Sequence, residues 1–247
     1  MPSIAASCCG SVGEHQPAIS AEVGSVQLSE SRGYDLVVQQ LIPGYASLAR
    51  LAVALLAASP RAAAPGAAVL VAGCGTGAEL VEARAQRPDW QVTAIDPSQA
   101  MLEAAQRRLG GEGIRWQQVR VEDLRAEACF AGALSVLVLQ ALPDDGTKLA
   151  FLTALARSLQ PGGQLVLVDL MAPERSPLQA QVEEAWLGFQ RASGLSEQQS
   201  RQAALTQGLH PIGVSRLTAL VNAAGFSDPA RIFQALGYEG FLLQRPA

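Results

Sequence analysis

The chain has 247 residues and a formal net charge of −4, from 18 basic and 22 acidic side chains; 49% of its residues are hydrophobic and 5% aromatic. That length holds one large α/β domain or two small ones, with enough Ala, Leu and Val for a sizeable core. A single lysine, Lys148, and no basic stripe argue against nucleic acid as a partner, and the longest apolar runs, Leu48–Ser59 (broken by Arg50) and Ala133–Leu142, fall short of the ~18 residues of a membrane span.

Residues 1–28 are rich in Ser, Ala and Gly without a period, which predicts a flexible tail ahead of a domain over 29–247. No basic region followed by an apolar stretch opens the chain, so a secretory signal is not expected. The cysteines Cys8, Cys9, Cys74 and Cys129 have neither even spacing nor a C-x-x-C pair. That predicts no disulfide framework, no metal centre and a reducing, cytoplasmic setting. The adjacent Cys8 and Cys9 could hold a soft metal, but a pair in such a tail is expected to be inert.

From Ser31 to Ala58 the pattern is helical, interrupted at Pro43-Gly44, and Ser59–Ala67 reads as a linker. Strand and helix signals then alternate. Strands are predicted at Ala68–Ala72, Gln91–Ile95, Ile114–Val119, Ala131–Val136 and Gln164–Leu170. Helices are predicted at Ala78–Gln86, Gln99–Leu109 (with Ser98 as N-cap) and Lys148–Leu159, the last ending before Pro161-Gly162-Gly163. This alternation predicts an α/β fold with a doubly wound, mostly parallel sheet. Residues 173–212 break the rhythm with polar helical stretches, Ala180–Arg191 and Glu197–Gln207, expected to form a helical lid insertion or else a homodimer interface. A helix at Val214–Ala224 and strands at Ala230–Leu236 and Glu239–Gln244 close the chain.

The chemistry concentrates after the first strand, in Ala72-Gly73-Cys74-Gly75-Thr76-Gly77. Glycines there let the chain turn sharply and let a ligand approach the backbone. Asp96 follows Gly77 by nineteen residues at the end of the second strand, where an acid can accept hydrogen bonds from ribose hydroxyls. A plain tight turn and a helix cap are the alternative readings. Gly73-x-Gly75-x-x-Ala78 also fits a dinucleotide fingerprint, so the loop alone leaves a nicotinamide dehydrogenase open.

Two further runs separate the readings. Asp96-Pro97-Ser98-x-x-Met101-Leu102 and Leu159-Gln160-Pro161-Gly162-Gly163 resemble motifs of class I methyltransferases, and Phe130–Pro143 resembles their fourth strand and the helix after it. The resemblance implies a Rossmann-like, seven-stranded sheet and S-adenosyl-L-methionine as cofactor. It also implies cofactor contacts from Ala72, Gly73, Cys74, Gly75, Gly77, Asp96, Pro97, Met101, Val121 and Glu122. Ile42-Pro43-Gly44-Tyr45, Phe189–Ser196 and Ala224-Gly225-Phe226 further resemble carboxy-S-adenosylmethionine synthases, which make the carboxylated cofactor used in tRNA wobble uridine modification. By that likeness Tyr45 could cover the cofactor.

The pattern is broken at Val71, where the family carries an acid two residues before the first glycine. It is broken again at Arg120, in place of a third-strand acid, and at Phe130-Ala131 in place of Phe-Asp. The arginine with which the synthases hold their extra carboxylate aligns with Ala203 or Ala204, with Arg201 nearby. Methyl transfer to a hydroxyl or amine needs a base, and the candidates are Asp169, at the end of the fifth strand, and His210, in the insertion. These residues point to methyl transfer onto a small molecule. Alternatives are a carboxy-S-adenosylmethionine synthase and a non-catalytic cofactor-binding protein.

Overall fold

The computed structural model describes residues 31–196 and 208–247. The tail with Cys8 and Cys9, and the stretch 197–207 with Arg201, Ala203 and Ala204, lie outside the described residues. Seven strands form one sheet in the order β3-β2-β1-β4-β5-β7-β6. They are β1 (Ala68–Ala72), β2 (Gln91–Ile95), β3 (Ile114–Gln117), β4 (Phe130–Val136), β5 (Leu159–Leu170), β6 (Ala230–Ala235) and β7 (Tyr238–Gln244). The first five run parallel, and β7 is antiparallel to both β5 and β6. The order reverses between β1 and β4, the place where open sheets of this kind leave a crevice beyond their carboxyl ends.

The central strands are apolar at nearly every position because both faces are covered. One face carries α2 (Tyr45–Ala57), α3 (Ala78–Gln86) and α4 (Gln99–Leu109), whose Leu48, Val53, Leu56, Leu80 and Leu102 pack on Val69, Val71, Ala94 and Leu134. The other carries α5 (Thr147–Ser158) and α7 (Val214–Ala223), whose Phe151, Leu152, Leu155, Leu217 and Val221 pack on Leu70, Ala133, Leu165 and Leu167. Alternate residues of one strand thus serve two separate cores, as the period of two requires.

Two helices lie across the carboxyl ends instead of flat on the sheet. These are α1 (Ser31–Leu41) and α6 (Gln179–Ala192). Val38 and Ile42 pack with Leu170 and Tyr238, the partly buried Trp186 and Leu137 joining them. Trp186 Nε1 donates to the Leu41 carbonyl at 2.8 Å, and its ring meets Tyr238 edge-on, centroids 5.6 Å apart. Among the described residues no single helix is long and apolar enough to cross a membrane.

Two predicted boundaries move by more than one residue. β3 stops at Gln117, not Val119, because β2 ends at Ile95, the partner of Gln117, and leaves the next residues no ladder. β5 begins at Leu159 rather than after the Pro-Gly-Gly turn. Phe130 pairs with Leu159 and Gly132 with Gln164, so Pro161-Gly162-Gly163 arches out as a bulge within the strand. The bulge is held where Gly162 N–H donates to the Arg245 carbonyl at 2.9 Å. The helix read at Glu197–Gln207 lies outside the described residues.

Leu56 is 0% exposed and sits directly over β4, where a Cβ on Gly132 would fall 2.5 Å from its Cδ1. Leu56→Ala should cost about 2–5 kcal/mol, since the lost methyl groups leave a cavity that a sheet cannot collapse to fill. Urea unfolding would measure it, and a loss under 1 kcal/mol would mean that α2 is not seated on the sheet as described.

Candidate functional site

The turn from β1 into α3 is the centre of the crevice. Gly73 and Cys74 N–H both donate to the Ile95 carbonyl at 2.9 and 3.0 Å, drawing the turn onto the end of β2. Gly73 has φ 73°, and a Cβ there would meet Val138 Cγ2 at 2.4 Å. The absence of a side chain is therefore what lets the turn close on the segment after β4. Gly75 differs. Its φ is 49°, but a Cβ would find nothing within 4 Å. Space stands open above its backbone. Gly77 caps α3 and donates to the Cys74 carbonyl at 2.8 Å, which leaves the first-turn amides of α3 at the same place.

Asp96 binds the two halves of the site. Its Oδ2 accepts from Gly75 N–H at 2.9 Å and its Oδ1 from Ser98 N–H at 2.8 Å. Burial raises its pKa, and the two amides pull it back. Each carboxylate oxygen keeps a further lone pair for an incoming donor. Beside it Pro97 is exposed, and Met101 is half-buried with its N–H on the Ser98 Oγ at 3.4 Å. Val121 and Glu122 form a single 3-10 turn beyond β3, with Val121 buried against Ile95 and Glu122 half-buried. Ala72 is the last residue of β1 and fully buried.

Asp35, Arg108 and Glu79, which the sequence reading missed, complete this side. Asp35 on α1 accepts from the Thr76 hydroxyl at 2.6 Å and from Arg108 on α4 at 2.6 Å, so α1 is tied directly to the glycine turn. Glu79 in the first turn of α3 is buried, and its pKa rises to about 7, from burial first and then from the nearby Asp35, against the pull of its own backbone and of Arg108. The Cys74 thiol is pushed up to about 12 by burial and by Asp96 and Glu79. It is an inert wall and not a nucleophile. Tyr45, first residue of α2, is half-buried where the α2 face and the α1–α6 cluster meet.

The opposite wall is the segment after β4, which turns at Leu137 (φ 61°). It is strapped from several directions. Leu137 N–H donates to the Val168 carbonyl at 2.7 Å and His210 N–H to the Gln140 carbonyl at 2.7 Å. Gln140 N–H donates to Asp169 Oδ1 at 3.0 Å, and Leu170 N–H to Gln140 Oε1 at 2.8 Å. Lys148 Nζ donates to the Leu139 carbonyl.

Asp169 is 2% exposed and Lys148 0% exposed. The Asp169 pKa is raised to about 7: burial dominates, while the Gln140 amide, Lys148 and the Leu139 amide oppose it. Burial likewise lowers Lys148, against Asp169 and Asp144. The two predicted bases therefore occupy different places. Asp169 lies inside, with Oδ2 unpartnered, whereas the His210 side chain is exposed at the rim, within electrostatic reach of Asp145. Lys148 had a readable signal: it shares a helical stripe with Phe151, Leu152 and Leu155, an odd position for a charge. Asp35 and Glu79 had none.

Residues 69–163 match the family model described as a methyltransferase domain. The carboxy-S-adenosyl-L-methionine synthase of Aeromonas hydrophila is 27% identical over 211 residues, covering 82% of each chain. Among solved structures, the Burkholderia thailandensis 1,6-didemethyltoxoflavin-N1-methyltransferase, determined with 1,6-didemethyltoxoflavin and S-adenosylhomocysteine, is similar with a TM-score of 0.59. It is 22% identical, over 89% of this chain and 84% of that one. Human N-acetylserotonin methyltransferase in complex with SAM has a TM-score of 0.58 and 17% identity, over 89% of this chain and 58% of that one.

A buried acid whose pKa is raised stabilises the fold fully below its unfolded value, and the contribution is lost as pH rises through the folded one. For Asp169 the window runs from about 4 to about 7. Stability of the wild type should fall across it by up to about 1.4 kcal/mol per pH unit for that group, and Asp169→Asn, which keeps an acceptor for Gln140, should flatten the slope. Denaturant midpoints between pH 5 and 8 read this directly. Identical slopes in the two proteins would remove Asp169 as the source.

Proposed function

We propose that this chain, a methyltransferase of the class I S-adenosylmethionine-dependent type, transfers a methyl group from S-adenosyl-L-methionine to a small molecule. The observation that carries the reading is the open space over Gly75, flanked by the Asp96 carboxylate and the first turn of α3, at the point where the strand order reverses. A polar, ribose-bearing ligand fits that set: a backbone it can approach, an acid for its hydroxyls and helix amides for a carboxylate. The bound cofactor supplies an activated methyl on a sulfonium; what remains for the protein is alignment and removal of a proton.

In this reading Asp96 holds the ribose, and Gly73, Cys74 and Gly77 shape the backbone that the cofactor lies against. Ala72, Pro97, Met101, Val121 and Glu122 flank it, and Tyr45 closes it from α2. Val71, in place of the acid common in the family, leaves the amine end to backbone partners. Asp169 acts through Gln140, fixing the wall after β4. His210, exposed and with its backbone on the Gln140 carbonyl, is in this reading the base that takes a proton from an acceptor hydroxyl or amine. Residues 29–247 make up the methyltransferase domain, with 173–212 as its lid, and the cytoplasm is the compartment this chemistry suits.

The second reading is carboxy-S-adenosylmethionine synthesis, favoured by the likeness to the Aeromonas synthase over most of both chains. It requires a cation for the added carboxylate, since burying that charge unpaired is costly. The aligned residues Ala203 and Ala204 have none to offer, which makes Arg201 the nearest substitute.

S-adenosylhomocysteine should raise the melting temperature. Gly75→Ala should abolish that rise while lowering the melting temperature of the free protein only slightly, because its Cβ enters the ligand's space and no other. Asp96→Asn, which keeps one acceptor, should weaken binding by about 1.5–3 kcal/mol by calorimetry. Unchanged affinity in either variant contradicts the assignment. Competition between plain and carboxylated S-adenosylmethionine should favour the plain form; tighter binding of the carboxylated one, lost in Arg201→Ala, would promote the synthase reading.

A further inference from the structure

Helix α1 is attached on both sides of the crevice. At its C-terminal end Val38 and the following Ile42 are buried against Leu170 and Tyr238, at the end of β5. Trp186 of α6 donates to the Leu41 carbonyl there at 2.8 Å, and Gln190, one turn further along α6, is buried as well. Toward the other end Asp35 accepts from the Thr76 hydroxyl, in the glycine turn after β1, and from Arg108 on α4, both at 2.6 Å. From Asp35 to Leu41 the helix rises six steps, about 9 Å. In the sheet β4 lies between β1 and β5, so those two strands stand about 10 Å apart. The helix therefore has the length to cross from β1 to β5, and it passes the end of β4, where the strand order reverses.

The two attachments differ in kind. The one at β5 is apolar and buried. The one at the glycine turn is polar: Leu36, beside Asp35, is 59% exposed, and the ion pair leaves 17% of the Asp35 side chain and 36% of the Arg108 side chain in solvent. Apolar packing parts only by exposing its surface to water, whereas a half-exposed ion pair exchanges its partners for water and salt at small cost. The Asp35 end of α1 is therefore the one that lifts first. Its partner Thr76 is buried, follows Gly75 directly, and also receives Arg108 on its carbonyl at 3.5 Å. Releasing Asp35 thus frees α1 from the residue next to the open space over Gly75.

We propose that α1 gates the cofactor site and that Asp35 is the positioning residue that keeps the gate shut. The inference rests on the S-adenosylmethionine reading above. With Asp35 on Thr76 and Arg108, α1 bars the way to the space over Gly75. A cofactor enters or leaves when the Asp35 end lifts about the apolar anchor at Val38 and Ile42. The latch joins protein to protein and involves no ligand atom, so it has the same strength in the free and the loaded protein. A contact equally strong in two states changes how fast they interconvert and leaves their equilibrium where it was. Weakening it raises entry and release together. A residue that shaped the turn would act otherwise, because a deformed turn releases its ligand faster without admitting it faster. Arg108 adds a second signature: an ion pair this exposed is weakened by salt, so salt speeds the exchange.

The test follows S-adenosylhomocysteine by surface plasmon resonance on the full-length protein, with the wild type beside Asp35→Ala, Asp35→Asn and Arg108→Met. Asp35→Ala should raise the association and dissociation rates alike, by about tenfold, and leave Kd within about threefold of the wild type. Asp35→Asn keeps an acceptor for Thr76 and should fall between the two. Arg108→Met, which removes the other half of the ion pair, should also speed both rates. Raising salt from about 0.05 to about 0.5 M should quicken exchange in the wild type and leave Asp35→Ala unmoved. Unchanged rates in Asp35→Ala overturn the inference. So does faster release without faster entry, which would make Asp35 a brace of the turn, and so does an equal salt response in the two proteins. If Asp35→Ala does not fold, Asp35→Asn and Arg108→Met decide by the same criteria. If S-adenosylhomocysteine does not bind the wild type at all, the S-adenosylmethionine reading falls and this inference falls with it. Normal binding with unchanged rates overturns the inference alone.

Discussion

The Asp96 carboxylate stands between two segments that reach the crevice by separate routes, the glycine turn after β1 and the start of α4 after β2, and it accepts one amide from each. Backbone donors at a sharp turn must find acceptors or remain open to water. Here one side chain serves both segments, and each of its oxygens keeps a further lone pair. The turn can reach that carboxylate only because Gly73 lets it close on Val138. The position of α3, the opening above Gly75 and the approach of α1 through Thr76 all follow from that contact. The candidate site is thereby built from backbone, whose position is far less adjustable than that of a long side chain.

Around this centre the protein buries more polar chemistry than its stability needs. Lys148, Asp169, Gln140 and Glu79 are all buried, and burying polar or charged groups costs desolvation that their contacts only partly repay. Their effect is geometric. Lys148 and Asp169 grip successive residues of the segment after β4, one by a carbonyl and the other by an amide. Desolvation outweighs the attraction between them, as the upward shift of Asp169 and the downward shift of Lys148 both record. An apolar pair could fill the same volume but would give up two of the hydrogen bonds that hold the Leu137–Ala141 wall in place. A wall that must meet Gly73 at van der Waals distance does not tolerate sliding.

The helices α1 and α6 across the carboxyl ends obey a different logic. Trp186 anchors α6 to α1 by one hydrogen bond and one edge-on aromatic contact, while much of the remaining α6 surface is exposed. Elements held by few contacts open at low free-energy cost. In the proposed function a cover of this kind would admit a small molecule and then exclude water from it, while the sheet and its strapped turns would hold the cofactor side still.

The sequence by itself determined the fold class, because hydrophobic period and glycine punctuation are local signals: the limits of β1, α3, β2 and α4 coincide with the residues that carry them. It also singled out Asp96 and the three glycines, which the structure brings to one turn, since their spacing along one β-turn-α unit is a property of the chain alone. Lys148 was legible in part, as a charge in an apolar helical stripe. Only the tertiary structure decided the rest. The pairing of Ile95 with Gln117 set where β3 ends, and the β4–β5 ladder turned Pro161-Gly162-Gly163 into a bulge. The tie from Asp35 to Thr76 spans forty-one residues, and the burial of Gln190 on an otherwise exposed helix depends on what α1 places against it. Such contacts join residues far apart in the chain, and no local period or spacing encodes which distant side chain will arrive.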